Sequence, residues 1–412
     1  MIRKYRRHFT TPFYYILVSH FVSNMADRGI FIFLCWAIVK SQGSLALNVF
    51  ICLSLLPHLL LVRQSSKQIN RYGPVKIFIG SDLLKLISCL VFALVFWIWP
   101  NLNIYGLIIL GFITNIGSAF FNPSAMTMPS FLTEDATKRR YMTSLLSTSL
   151  SLSTILGPLL AALFLMAPAN FTAVIFFMVG LMYLVPILNN YRFLGLTYTR
   201  GTFTTNKLDT IPKVMKSYPD IAWLLLCFLL INLAFVPIQY FIPLRVKADF
   251  INYGGHAVAL FEGLIGAGAF IGALSLALIK KNIDNVFIIF TAFFATGIFY
   301  AGFNITQNLI ATSLSLFLMG IALSVGNILA ITYYQTKTTH NYVAIIMGLV
   351  NLISVAVGPI AIFLSGLSVK FVGLNTSLTL YSSAMGVFSI GLLLTSFFKK
   401  RRPECTASNV SC

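Results

Sequence analysis

The chain has 412 residues, 58% of them hydrophobic and 9% charged, with 29 Lys and Arg against 10 Asp and Glu and a formal net charge of +19. A soluble protein would be about 25% charged; with a mean hydropathy of +0.87 there is too little polar surface to cover a body folded in water, so lipid must be the solvent for most of it. The basic excess is dispersed among short hydrophilic segments instead of gathered on one face, which excludes a nucleic-acid binder.

A spanning helix needs roughly 20 predominantly apolar residues, and the sequence predicts twelve such spans. After Arg3, Lys4, Arg6 and Arg7, span one covers about 13–39, too long for the core of a signal peptide. It carries His20, Asn24 and Asp27 on one helical face, with Arg28 beside them. Span two covers about 44–62, and a basic loop, 63–76, leads to span three at about 76–99 with Asp82 and Lys85. Span four, about 103–127, has Asn115 and Asn122. Span five, about 142–166, contains Ser153-x-x-x-Gly157-Pro158, and span six covers about 170–190. The longest hydrophilic stretch, 191–220, follows.

The second half repeats the plan. Span seven, about 221–243, has Asn232 and Gln239; span eight, about 257–279, has Glu262 and a run of glycines from Gly263 to Gly272. Span nine covers about 284–303, and span ten, about 307–334, has Asn327 and Tyr334. Span eleven, about 342–368, contains Ser354-x-x-x-Gly358-Pro359, the counterpart of the span-five motif; span twelve covers about 374–398. Small residues four apart permit close helix contact and Pro bends a helix. The expected organisation is therefore an N-terminal six-helix half (1–190), a cytoplasmic linker (191–220), a C-terminal six-helix half (221–398) and a basic tail (399–412), an all-α membrane fold with a duplicated architecture.

Orientation follows from charge. Of the 29 Lys and Arg, all but Lys40, Arg245, Lys247, Lys370, Arg28 and Lys85 lie in the terminal segments or in every second loop. This is the positive-inside pattern, and it puts both termini in the cytoplasm. Cys35, Cys52, Cys89 and Cys227 fall in apolar runs and read as small hydrophobes.

Polar groups inside spans carry the functional signal. The stripes of span one, span four (Asn115, Asn122), span seven (Asn232, Gln239) and span ten (Asn327, Tyr334) come from the first and fourth helices of each half. Around a common space they would line a cavity near mid-membrane, where transporters bind substrate. An ionisable group at mid-span costs about 2.5–3.5 kcal/mol on the insertion scale, so Asp27 and Glu262, with no basic residue one turn away on their own helices, are the candidates for loading and releasing a proton. Asp82 and Lys85, three residues apart, are expected to clamp span three to the basic 63–76 loop. His58 and His256 are expected to be structural or solvated. There is no G-x-S-x-G elbow, no H-E-x-x-H and no phosphate-binding loop, so an enzyme is not expected, and any transport must draw on a gradient. No cofactor or metal is expected.

The residues resemble the major facilitator superfamily. The stretch 117–132, G-S-A-F-F-N-P-S-A-M-T-M-P-S-F-L, is similar to the end of helix four in the drug-efflux branch, which includes macrolide pumps and enterobactin-type siderophore exporters. Ser23-x-x-x-Asp27 with Trp36, the run Ser81-Asp82-Leu83-Leu84-Lys85 and the Glu262 helix with its glycines also match. The family's Gly-x-x-x-Asp-Arg-x-Gly-Arg-Arg loop stands here as Ser66 to Lys76, with Asn70 for the Asp and with Arg71 and Gly73 kept. Its helix-five motif, Gly-x-x-x-Gly-Pro-x-x-Gly-Gly, survives as Ser153, Gly157, Pro158, Ala161 and Ala162, and Asn115 stands where many relatives carry Arg.

The resemblance implies a monomeric, proton-coupled exporter of amphipathic organic molecules, a drug such as a macrolide or a siderophore, in the bacterial inner membrane. The substrate cavity would be lined by His20, Asn24, Asn115, Asn122, Asn232, Gln239, Asn327 and Tyr334, and protons would couple at Asp27 and Glu262. Arg71, Gly73, Asp82, Lys85, Gly157, Pro158, Gly358 and Pro359 would form gates and structural contacts. An importer of a siderophore or nutrient with the same fold, and a lysophospholipid flippase, are the alternatives.

Overall fold

A computed structural model describes residues 11–99, 104–133, 135–168, 171–194, 215–278, 286–338 and 340–395. Outside them lie the N-terminal Arg3, Lys4, Arg6 and Arg7, most of the 191–220 segment, Lys280 and Lys281, and the 399–412 tail. Among the described residues all regular structure is helical, an arrangement that pairs the backbone groups within each segment where no water can reach them.

In chain order the helices are α1 (Thr11–Gln42), α2 (Ser44–Leu60), α3 (Val62–Tyr72), α4 (Pro74–Ile98), α5 (Ile104–Leu132), α6 (Ala136–Met166) and α7 (Thr172–Asn190). Then come α8 (Pro219–Phe235), α9 (Ile238–Asp249), α10 (Gly254–Leu278), α11 (Val286–Ile305), α12 (Leu309–Lys337), α13 (His340–Val372) and α14 (Leu374–Gly391). Among the described residues, eleven helical stretches are long and apolar enough to cross a membrane, and the bent pair α2–α3, turned by 48°, makes up to twelve.

The basic 63–76 segment is thus not a loop. Arg63, Lys67 and Arg71 recur every four residues on the exposed face of α3, while Ser65 and Ile69 face inward, which is the helical period. Gly73 ends it with φ +87°, a conformation open to glycine at little cost, and Pro74 opens α4. Span seven is broken between α8 and α9, where Pro237 cannot donate a backbone hydrogen bond.

The helices gather into two compact units. The first holds residues 1–202, 239–267 and 362–370. In it α1 packs mainly on α6 and α7, α4 on α7 and α5, and α2 on α5. Lipid tails are as apolar as Leu, so close approach of small residues does much of the holding. A Cβ on Gly157 would stand 2.5 Å from the Arg28 Cβ, and one on Gly29 would meet Leu160 at 2.9 Å. Gly111 gives room to the ring of Phe50. The second unit holds 203–238, 268–361 and 371–412. There α11 packs on α12 and α14, and α8 on α14. Gly268 and Gly272 lie against the backbone of Phe317 and Ile321, Trp223 Nε1 donates to the Gly391 carbonyl at 2.8 Å, and Gly358 and Pro359 are buried.

Candidate binding cavity and buried charge cluster

The first unit holds a buried network that ties α1, α4, α5 and α7 together. Asp27 of α1 accepts hydrogen bonds from Lys85 Nζ at 2.8 Å, Ser118 Oγ at 2.8 Å and Tyr183 OH at 2.6 Å. Lys85 also lies 3.7 Å from Asp82 Oδ1 and donates to Ser23 Oγ at 3.3 Å, while Ser23 Oγ donates to Asp82 at 2.7 Å. Lys85 and Asp82 are fully buried, and the Asp27 side chain keeps 19% exposure. The ammonium sits 4.3 Å above the centre of the Phe121 ring, a favourable site for a cation. Gly117 makes that position reachable: a Cβ there would stand 2.7 Å from Lys85 Cγ.

This geometry corrects the expectation that Asp82 and Lys85 clamp span three to the 63–76 segment. The pair turns toward α1. Lys85 stays fully buried, held by two carboxylates and an aromatic face. Arg71 is exposed, with its guanidinium over the neighbouring Tyr72 ring at 5.2 Å, so it and Asp82 are not brought together.

Asp27 also borders a cavity of about 290 Å³. Helix α1 contributes Asn24, Asp27, Arg28, Phe31 and Leu34, one stripe at helical spacing. Helix α5 adds Gly111, Thr114, Asn115, Ser118 and Asn122; α2 adds Phe50, Leu55 and His58; α6 adds Leu150 and α9 adds Gln239. The wall is amphipathic, with amides and charges beside aromatic and branched side chains. A larger groove of about 480 Å³ between α4 and α7 is lined only by apolar residues such as Leu94, Trp97 and Phe177. These three are exposed, so the groove belongs to the lipid-facing surface.

Of the residues expected at the cavity, Asn24, Asn115, Asn122 and Gln239 line it. His20 stands outside the lining: its Nδ1 pairs with Ser149 Oγ at 2.7 Å and its ring stacks parallel to Phe121. Asn232, Asn327 and Tyr334 belong to the second unit. There Asn232 Nδ2 donates to the Phe228 carbonyl at 2.8 Å, Asn327 is half-buried, and Tyr334 is buried edge-on to Phe228. Tyr183, Ser118, Thr114 and His58 are the residues the sequence did not single out for the site. Tyr183 leaves a trace there as a polar-tipped aromatic inside an apolar span, and His58, expected to be structural or solvated, lines the cavity.

The Gly43 end of the first unit is held together by side chains bonded to backbone. Lys247 Nζ donates to the Val39 carbonyl at 2.6 Å, Tyr240 OH to that of Ser44 at 3.2 Å, and Asn48 Nδ2 to that of Ile362 at 2.5 Å. The α10 glycines complete it: Gly255 lies against Trp36 and Leu165, Gly263 against Pro158, and Gly266 against the Thr154 carbonyl. Glu262, on the same helix, is half-buried within electrostatic range of Arg28.

The fold is similar to that of solved transporters. A bacterial homologue of the iron transporter ferroportin, in an inward-facing state, superposes with a TM-score of 0.71 at 15% identity, over 93% of this chain and 98% of that one. The nucleoside transporter NupG gives 0.70 at 10% identity, over 94% and 99%. A POT family transporter in complex with 5-aminolevulinic acid gives 0.68 at 12%, over 93% and 96%. No curated protein matches by sequence. The family model described as Major Facilitator Superfamily matches residues 16–363. By that match and the helical membrane architecture, the chain belongs to the Major Facilitator Superfamily and is a transporter, not an enzyme.

Proposed function

We propose that this transporter exports amphipathic organic molecules, a drug such as a macrolide or a siderophore, across the bacterial inner membrane in exchange for protons. The observation that carries the reading is the cavity itself: a carboxylate, Asp27, shares one wall with amides and with Phe31 and Phe50. Substrate binds there, and protons load at Asp27 and Glu262. With the basic segments on the cytoplasmic side, the Gly43 end faces outward, and the Lys247, Tyr240 and Asn48 ties form the outer gate. The six-helix halves, 1–190 and 221–398, rock about this site with the 191–220 linker permitting the motion. The protein works as a monomer, with both termini cytoplasmic.

The test is proton flux in inside-out vesicles, with the substrate sought first by comparing secreted metabolites and drug susceptibility of a deletion strain under iron-replete and iron-starved growth. Asp27→Asn combined with Glu262→Gln is expected to abolish substrate-driven proton release. Intact export and proton counterflow in that variant would remove the coupling assignment.

A further inference from the structure

The cavity wall is charged unevenly. Both oxygens of Asp27 are engaged, by Lys85 and Ser118 on one and Tyr183 on the other. Arg28, the next residue in the same wall, has no hydrogen bond or ion pair among the described residues. The carboxylate within its electrostatic range, Glu262, forms no ion pair with it and stands outside the lining. His58, across the cavity on α2, carries no negative charge in either protonation state and so brings no counter-charge. A guanidinium offers five donors in a planar fork, and one left without a counter-ion at membrane depth is costly. The base of its stem lies against Gly157. One turn along α1 the wall becomes apolar, with Phe31 and then Leu34, faced by Phe50 of α2.

We propose that the transported molecule is an amphipathic carboxylate, its anionic group held by the fork of Arg28 and its apolar body against Phe31, Leu34 and Phe50. The proposal rests on reading this cavity as the transport site and names the class of substrate it takes. A volume of about 290 Å³ lies at the lower edge of the usual range for ligand sites, roughly 300–1,000 Å³, so the body is compact. This narrows the cargo proposed above to small acids and away from macrolides, which are larger and cationic. An inside-negative membrane potential favours outward movement of such an anion.

The test uses two probes of the same shape, 1-naphthylacetate and 1-naphthylacetamide, titrated against the purified full chain in lipid nanodiscs. A charge-assisted bidentate contact is worth about ten- to a hundred-fold in affinity. Wild type is expected to bind the acid at least tenfold more tightly than the amide. Arg28→Gln, which keeps the stem against Gly157, should erase that preference while still binding the amide, and amide binding shows that the variant is folded. Arg28→Lys, which keeps charge without the fork, should retain part of the preference. Equal binding of acid and amide by wild type, with both weakened by Phe31→Ala, would leave the cavity reading standing and overturn the carboxylate assignment. An acid preference that survives Arg28→Gln would overturn it too. Binding of neither probe, or binding indifferent to both Phe31→Ala and Arg28→Gln, would overturn the cavity reading and the assignment with it.

Discussion

Replacing Lys85 by Met keeps the length of the stem in its channel beside Gly117 and removes the ammonium. Asp27, 2.8 Å away, and Asp82, 3.7 Å away, are then left facing one another with no cation between them. Removing one partner of a buried ion pair typically costs about 3–5 kcal/mol. The upper part of that range applies here, because Lys85 serves two carboxylates, and it and Asp82 are fully buried. Ser118 and Tyr183 continue to hold Asp27, and that limits the loss. A second substitution, Asp27→Asn, removes one stranded charge while an amide still accepts from Tyr183. The double variant should therefore recover about 1–3 kcal/mol of what Lys85→Met loses. Unfolding in mixed detergent micelles, followed by circular dichroism across the four-variant cycle, measures both quantities. A Lys85→Met loss of less than about 0.5 kcal/mol, the scale of ordinary surface changes, would refute the buried-network account. So would a double variant no more stable than Lys85→Met.

Four further substitutions probe the same unit. Gly157→Ala would bring two Cβ atoms to 2.5 Å across the α1–α6 contact and should cost about 1–3 kcal/mol in the same unfolding assay. Gly80→Ala, with nothing within 4 Å of the new methyl, should cost nothing. Tyr183→Phe removes the 2.6 Å hydrogen bond to Asp27 and keeps the ring; a loss of about 1.5–3 kcal/mol is expected. Asn48→Ala breaks the bond to the Ile362 carbonyl, so a cysteine placed at Ser44 should react faster with a membrane-impermeant maleimide.

Hydropathy and charge alone disclosed nearly all of the span pattern, because a membrane span announces itself by length and apolarity without help from distant residues. Span one, expected over about 13–39, is Thr11–Gln42, and span eleven, expected over about 342–368, is His340–Val372. The 63–76 segment was harder. Its polar residues read as a loop, while their four-residue recurrence builds α3, and hydropathy is blind to that period. Helical spacing also placed Asp82 and Lys85 on one face, yet nothing local says which neighbour that face meets. The answer depends on Gly117 and Ser23, far away in the chain, leaving room and a hydroxyl for the cluster. His20 shares the stripe of Asn24 and Asp27, but one turn of depth sets it against Ser149 and Phe121, outside the cavity lining.

The central claim is export through the cavity beside Asp27, and accumulation in intact cells tests it most directly. A panel of drugs that includes compact amphipathic carboxylates as well as macrolides, and the strain's own secreted metabolites, would be followed in cells expressing the wild type or Asn115→Trp, which fills the cavity, with and without a protonophore. The account predicts lower intracellular accumulation of at least one compound with the wild type, lost on adding the protonophore and lost in Asn115→Trp. Higher accumulation with the wild type, or export unaffected by both the protonophore and Asn115→Trp, would contradict it.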